Sequence, residues 1–311
     1  VKKITEIEPL LTSCDFFSQK EFDYFLIKQD GTKNKSALGA NTILALSIAF
    51  ARAMASENNQ QLFQYLRGQT SGKEEGVKLL PTGRSLTPSS TFKLPRPCVL
   101  LFEGGKHAPL EALPLTGLTF QEILLVPSGG SFQEMFDKAK VVFEGLRKRL
   151  NYPLGVEGGM VAPLKEEEIL SLISQHTTEQ IGIDVAASSF YSQGKYNFGG
   201  KETSVQNLLD FYQTLQKNYN ILFLEDPFSQ NDYSSWQKLP RGLTSGQLVG
   251  DDLTATNSER IEMAKEKELC DGVIIKPNQI GTVWETLQAV RLAKKFGWKI
   301  IVSHRAGETE D

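Results

Sequence analysis

Asp184, Glu225, Asp251, Lys276 and His304 each close or directly follow a short apolar run: IleGlyIleAsp, IleLeuPheLeuGlu, LeuValGlyAsp, GlyValIleIleLys and IleIleValSerHis. Successive positions differ by 41, 26, 25 and 28 residues. That is the length of a strand, a helix and their turns, a βαβ unit needing roughly 30 residues. Runs this apolar read as strands buried on both faces, where a charge is tolerated only at the open end. Parallel strands that each offer one polar residue at the same end are how a (β/α) barrel builds a site. Three carboxylates, a lysine and a histidine in series point to a divalent metal beside a base.

One strand-end carboxylate alone is more often a helix cap or a salt-bridge partner. Three on successive strands, with Lys276 next, are better explained as hard oxygen donors for a cation such as magnesium. Lys276 emerges from a buried strand, where low dielectric and a nearby dication both disfavour its charged form and move it toward a working base. Glu157 lies in GlyValGluGlyGly, whose glycines let the backbone approach a ligand closely. Glu122 opens a strand, where simple solvent-facing alternation would also account for it. His107 and His304, two of three histidines, follow strands in glycine-bearing loops. GlyGlyLysHis at 104–107 and GlyGlnThrSerGlyLysGlu at 68–74 both fail the pattern of a phosphate-binding loop.

The elements that must carry these residues alternate from Cys98 onward. Strands are expected at 98–102, 122–127, 181–187, 221–226, 246–250, 272–276 and 299–303. Helices are expected at 131–151, 165–178, 204–219, 232–238, 257–269 and 281–297, with Ser131 and Glu134 forming a capping pair. Such alternation predicts a parallel sheet or barrel. Residues 1–67 read as helical, 68–97 as a flexible insertion or linker, and 98–311 as a barrel domain. A barrel ending just after a strand lacks its last units, so the expected fold is a (β/α) barrel truncated at both ends, preceded by helices.

Composition agrees with a globular protein: 40% hydrophobic and 23% charged residues, with a net charge of -3. No basic stripe suggests nucleic acid. The apolar stretch from Leu38 is interrupted by Asn41, Ser47 and Arg52, too broken to span a bilayer. Three cysteines without a CxxC fit free thiols in a reducing compartment, and the expected location is cytoplasmic.

These stretches, in this order, resemble the enolase family. The likeness runs through LeuGlyAlaAsnThrIleLeu (38–44), GlyGlyLysHisAla (104–108), PheGlnGlu (120–122), GluGlyGly with AlaPro (157–163) and IleGlyIleAspValAlaAlaSerSerPhe (181–190). It continues through GlyLysTyrAsn (194–197), LeuGluAspProPhe (224–228), GlyAspAspLeuThrAlaThrAsn (250–257), LysProAsnGlnIleGly (276–281) and SerHisArgAlaGlyGluThrGluAsp (303–311). Within the family the divergence is similar to that of the testis-type branch.

The resemblance implies an enolase-superfamily barrel behind the helical part of an α+β N-terminal domain. It implies magnesium-dependent dehydration of 2-phosphoglycerate to phosphoenolpyruvate, a glycolytic lyase step. Asp184, Glu225 and Asp251 match the metal ligands, and Lys276 matches the base. Glu157 matches the acid on the opposite face, with Glu122 beside it. His107, His304 and Arg305 match substrate-pocket residues, Arg305 gripping the phosphate. A homo- or heterodimer of enolase subunits is implied, with no nucleic-acid or membrane partner. Val156 replaces an acidic residue before the loop glutamate, Pro277 a small apolar residue after the base, and Ala306 a serine. The His107–Glu122 segment is longer than usual. The family's N-terminal serine loop would precede this chain, and a second active-site lysine would follow Asp311. A competing expectation is therefore a non-catalytic scaffold in a structural or sperm-flagellar assembly.

Overall fold

The computed structural model describes residues 2–70, 93–107, 117–239 and 247–304. The chain divides into two compact units, one drawn from Val1–Thr91, Thr254–Met263 and Val273–Asp311, the other from Phe92–Leu253 and Ala264–Gly272.

The first unit opens with α1 (Lys2–Thr12), α2 (Gln19–Asp30), α3 (Ala40–Glu57) and α4 (Leu62–Thr70). The helical reading of the first 67 residues agrees with this, and α4 continues three residues further. Most of the expected linker, 71–92, lies outside the described residues. Ser18 caps α2 through its hydroxyl, which accepts from Glu21 N–H at 3.2 Å, and Gly31 ends the helix at φ 67.

The second unit contains β1 (Val99–Glu103), β2 (Glu122–Val126), α5 (Phe132–Leu150), α6 (Glu166–His176) and β3 (Gln180–Asp184). Then come β4 (Tyr191–Ser192), β5 (Lys195–Phe198), β6 (Lys201–Thr203), α7 (Val205–Asn218), β7 (Ile221–Glu225), α8 (Tyr233–Trp236) and β8 (Gln247–Gly250). Ser131 and Glu134 form the expected capping box on α5. Its main sheet runs in the order β1-β2-β3-β7-β8. Ile123, Leu125, Ile181, Ile183, Leu224 and Val249 are buried in it, and Leu146, Ile169, Ile173, Leu208 and Leu215 are buried on the helices. In β3 and β8 burial runs through consecutive positions, as a sheet covered on both faces requires.

Two features depart from the expected alternation. The pairs β1–β2 and β2–β3 are antiparallel, and parallel pairing begins only at β3–β7 and continues to β7–β8. A run buried on both faces reads alike in either strand direction, so the sequence carried no mark of the reversal of β2. A separate three-stranded antiparallel sheet, β4-β5-β6, was not expected at all. Its strands are two to four residues long and mostly exposed, so they carry no buried apolar run to announce them.

The chain continues through α9 (Ser258–Glu266), β9 (Gly272–Ile275), α10 (Pro277–Ile280), α11 (Val283–Lys295) and β10 (Lys299–Val302). Within the first unit, α11 packs on α2, α3 and α4. Val283 and Leu287 share a buried cluster with Ala51, Ala55 and Tyr65. The start of α11 is satisfied by side chains of the N-terminal helices: Trp284 N–H donates to Asp23 Oδ2 at 2.7 Å and Val283 N–H to Ser47 Oγ at 2.9 Å. Gln19 joins them, its Nε2 donating to Asp23 Oδ1 at 3.0 Å and Ser47 Oγ at 3.1 Å. Lys35 reaches Glu285 of the same helix at 3.0 Å. No helix among the described residues is long and apolar enough to cross a membrane.

Candidate active site

Register, rather than sequence proximity, assembles the carboxylates of the second unit. Glu103, the last residue of β1, pairs with Glu122, the first of β2. Glu122 pairs in turn with Asp184, the last residue of β3, and Asp184 with Glu225, the last of β7. Glu225 pairs with Val249 on β8, and Asp251 follows two residues later, just past the strand end. Residues level across a sheet present side chains to the same face, with neighbouring strands roughly 4.8 Å apart. Because β2 runs antiparallel, a residue that opens it reaches the same level as residues that close β1 and β3. Glu122 therefore stands with Asp184 and Glu225 rather than in a solvent-facing alternation.

The strand ends are tied down. Asp184 Oδ1 accepts from Ala186 N–H at 2.9 Å, and its Oδ2 from Gln121 Nε2 at 3.3 Å. Val185 N–H donates to Glu225 O at 3.0 Å, and Asp226 N–H to Val249 O at 3.0 Å. Asp226, which the sequence reading did not single out, is buried and holds φ 41. Its two oxygens accept from Asp251 N–H at 3.0 Å and Asp252 N–H at 2.6 Å, fixing the turn that presents Asp251. Burial pushes its carboxyl well above the ordinary range, and the charges of Asp251 and Asp252 push it further.

Glu157 sits half-buried in the loop between α5 and α6. Both loop stems are locked to β1's neighbourhood: Met160 N–H donates to Leu101 O at 2.9 Å, Glu103 N–H to Met160 O at 3.1 Å, and Gly155 N–H to Gly159 O at 2.8 Å. The backbone of the loop closes on Glu103, whose Oε2 accepts from Gly159 N–H at 2.9 Å and from Glu157 N–H at 3.2 Å. The glycines expected to make room for a ligand thus make room for a side chain of the protein itself. A Cβ at Gly155 would collide with the Glu103 carboxylate, and one at Gly159 would come within 3.0 Å of Glu103's own N. Burial raises the Glu103 carboxyl, the charge of Glu157 adds to it, and the loop N–H groups oppose both. Glu103 closes an apolar run, Val-Leu-Leu-Phe-Glu, in the same way as Glu225, so the strand-end pattern could have found it.

Lys276 and His304 belong to the first unit. Lys276 is half-buried and forms the N-cap of α10; its N–H donates to Thr256 Oγ1 at 2.9 Å, and Thr256 Oγ1 donates to Gln279 Oε1 at 3.0 Å. Thr256 is fully buried, and it and Ala255 hold φ 53 and φ 49, an uncommon conformation that the surrounding contacts must enforce. Pro277 takes the first helical position, where its missing N–H costs nothing. His304 is exposed just after β10. His107 ends a short 3₁₀ turn after β1, and Arg305 lies outside the described residues. His176 closes α6, its Nδ1 2.8 Å from Leu172 O.

The structure thus brings Glu122, Asp184, Glu225 and Asp251 to one end of one sheet, with Glu157 on a loop clasped to the neighbouring strand. Among the described residues, no three Asp, Glu, His or Cys side chains form a cluster closed on a metal position. The donor set itself suits a hard divalent cation: Asp184, Glu225 and Asp251 offer only carboxylate oxygens, and like charges at adjacent strand ends are relieved by a bound cation.

Comparison with known proteins covers nearly the whole chain. Residues 91–311 match the family model described as enolase, C-terminal TIM barrel domain, and residues 1–66 match that described as enolase, N-terminal domain. A protein of Ehrlichia chaffeensis named enolase is 35% identical, over 99% of this chain and 71% of that protein. Enolases of Neorickettsia sennetsu and Aeropyrum pernix are 36% and 37% identical over 99% of this chain, covering 73% and 69% of their own lengths.

Proposed function

This chain belongs to the enolase family, and from that premise we propose that it is a phosphopyruvate hydratase: a lyase that removes water from 2-phosphoglycerate to give phosphoenolpyruvate in glycolysis. The observation that carries the reading is the level row Glu122–Asp184–Glu225, with Asp251 presented beside it by Asp226.

Asp184, Glu225 and Asp251 would hold Mg²⁺, whose chemistry is to stabilise negative charge gathering on the substrate carboxylate as a carbon acid ionises. Lys276, as the neutral amine, takes the proton from C2. The C2–H electron pair becomes the C2–C3 double bond as the C3–O bond breaks. Glu157 gives its proton to the departing hydroxyl, so the oxygen leaves as water. Glu122 stands beside that acid as a hydrogen-bonding partner. His107, His304 and Arg305 hold the substrate, Arg305 through the phosphate. Thr256 keeps Lys276 in place by accepting its backbone N–H. The same reading takes in a dimer of enolase-type subunits and a cytoplasmic setting.

Conversion of 2-phosphoglycerate, followed by the ultraviolet absorbance of phosphoenolpyruvate, tests the reading. Magnesium-dependent turnover that chelation abolishes and Mg²⁺ restores is the expected result. Absence of turnover at saturating Mg²⁺ overturns it.

A second reading is a scaffold of the testis-type branch that keeps the fold without the chemistry. It draws on Val156, 72% exposed directly beside Glu157, where the family resemblance calls for an acid. Under that reading Lys276→Ala leaves cellular function intact, whereas under the enzymatic one function collapses while the fold persists.

A further inference from the structure

We propose that Glu103 is a positioning residue for the loop acid: its buried carboxylate clasps the 155–159 backbone and so fixes where Glu157 stands. The proposal rests on the reading of Glu157 as the group that protonates the departing hydroxyl.

Glu103 is fully buried at the end of β1. Its Oε2 is shared between Gly159 N–H at 2.9 Å and Glu157 N–H at 3.2 Å, and its Oε1 lies 3.4 Å from the same Glu157 nitrogen. One of the amides it holds is therefore that of the acid itself. The loop stems are secured by Met160 to Leu101, Glu103 to Met160, and Gly155 to Gly159. At the tip, Gly158 N–H donates to Gly155 O at 3.3 Å, with Gly158 at φ 89. Charged acceptors form the stronger hydrogen bonds to backbone N–H groups, so the carboxylate is a strong tether of that tip.

The glycines supply an independent observation. A side chain at Gly155 would overlap the Glu103 carboxylate, and one at Gly159 would press to 3.0 Å on Glu103's N and 3.1 Å on its Cβ. Gly155 is thus shaped around the Glu103 carboxylate, and Gly159 around the start of that residue and Leu100. Filling the space would need only an apolar residue, without placing a second carboxylate near Glu157. A buried charge whose acceptors meet the catalytic residue's own N–H is accounted for by geometry at Glu157. Register reinforces the point, since Glu103 is level with Glu122 and thus with the row of site carboxylates.

The full chain carrying Glu103→Ala or Glu103→Gln tests this through two readouts: hydrogen exchange at the Glu157 and Gly159 amides, and kcat with KM for the dehydration. In Glu103→Ala both amides exchange much faster, with the rest of the chain unchanged. Its kcat falls on the order of 10²-fold, the scale of loss for a misplaced catalytic group, while KM stays within about threefold. Glu103→Gln keeps one carbonyl acceptor and recovers most of the protection and most of the rate. Should the alanine variant not fold, Glu103→Met, which keeps volume without an acceptor, takes its place. Parent-like exchange at both amides overturns the clasp, whatever the activity. Full kcat in Glu157→Gln overturns instead the reading of Glu157 as the acid, and leaves the exchange result standing.

Discussion

Glu122 and Asp184 are register partners across an antiparallel pair, the first residue of β2 set against the last residue of β3. The reversed direction of β2 brings an otherwise unremarkable strand-opening glutamate level with a candidate metal ligand. It also makes the Glu122–Asp184–Glu225 row continuous across three strands.

That row predicts a charge-dependent metal requirement. Glu225→Gln keeps the shape and removes one negative charge, so the Mg²⁺ concentration giving half-maximal activity rises by at least about tenfold, affinity following ligand charge count. A magnesium titration of initial rates checks this; an unchanged midpoint removes Glu225 from the ligand set.

The proposed base is tested through Lys276. Lys276→Ala lowers kcat by about 10²–10⁴-fold, the usual contribution of a positioned proton acceptor. Magnesium affinity, read by calorimetry, stays at the parent value. Loss of metal binding in that variant would make Lys276 a structural residue instead.

Thr256 acts on the same lysine through the backbone. Thr256→Val removes the acceptor of Lys276 N–H and the donor to Gln279 while keeping the branched shape. A loss of kcat of roughly tenfold, with smaller change in KM, is expected from a small displacement of the base. Equal loss of both parameters, or none, contradicts this.

Stability should fall with pH through a single aspartate. Burial raises the Asp23 carboxyl from 3.8 to about 6, against hydrogen bonds from Ser47, Trp284 and Gln19 that lower it. The folded chain therefore binds a proton between these values that the unfolded chain has released. Its contribution is fully present below about pH 4 and is lost as pH rises through about 6. Asp23→Asn removes on the order of 3 kcal/mol of that slope relative to the parent. Denaturant midpoints at pH 4, 5, 6 and 7 measure it, and parallel curves for variant and parent refute it.

Much of this was legible in the sequence because buried parallel strands leave a simple mark: an apolar run that stops at a charge. Asp184, Glu225 and Lys276 stand out as candidates that way, and Glu103 carries the same mark at the end of Val-Leu-Leu-Phe-Glu. The direction of β2 was not legible, since a run buried on both faces reads alike in parallel and antiparallel pairs. The exposed strands β4, β5 and β6 left no periodic signal. The glycines around Glu157 were visible, but whether a ligand or a side chain fills the space beside them depends on a residue 54 positions earlier. Asp226 lay within a quoted motif, but its hydrogen bonds to Asp251 and Asp252 depend on two strand ends meeting.

The salt bridge between Lys35 and Glu285 is largely buried on the lysine side. With Lys35 removed, Glu285 stays partly exposed and keeps the Thr282 hydroxyl at 2.6 Å, so Lys35→Met costs roughly 1 kcal/mol in chemical denaturation, an effect that a double variant with Glu285→Gln largely cancels. An additive double variant contradicts the coupling.

The acceptors that Asp23 and Ser47 offer to the first turn of α11 bear on how this gene can be cut. A clone beginning near residue 91, where the second family domain starts, would deliver α11 with two bare amides and an uncovered Val283–Leu287 stripe. Such a piece is expected to be insoluble on its own and to be rescued by co-expressing the first seventy residues in trans. The border between the two family domains is a seam in ancestry, not a line along which this molecule can be taken apart.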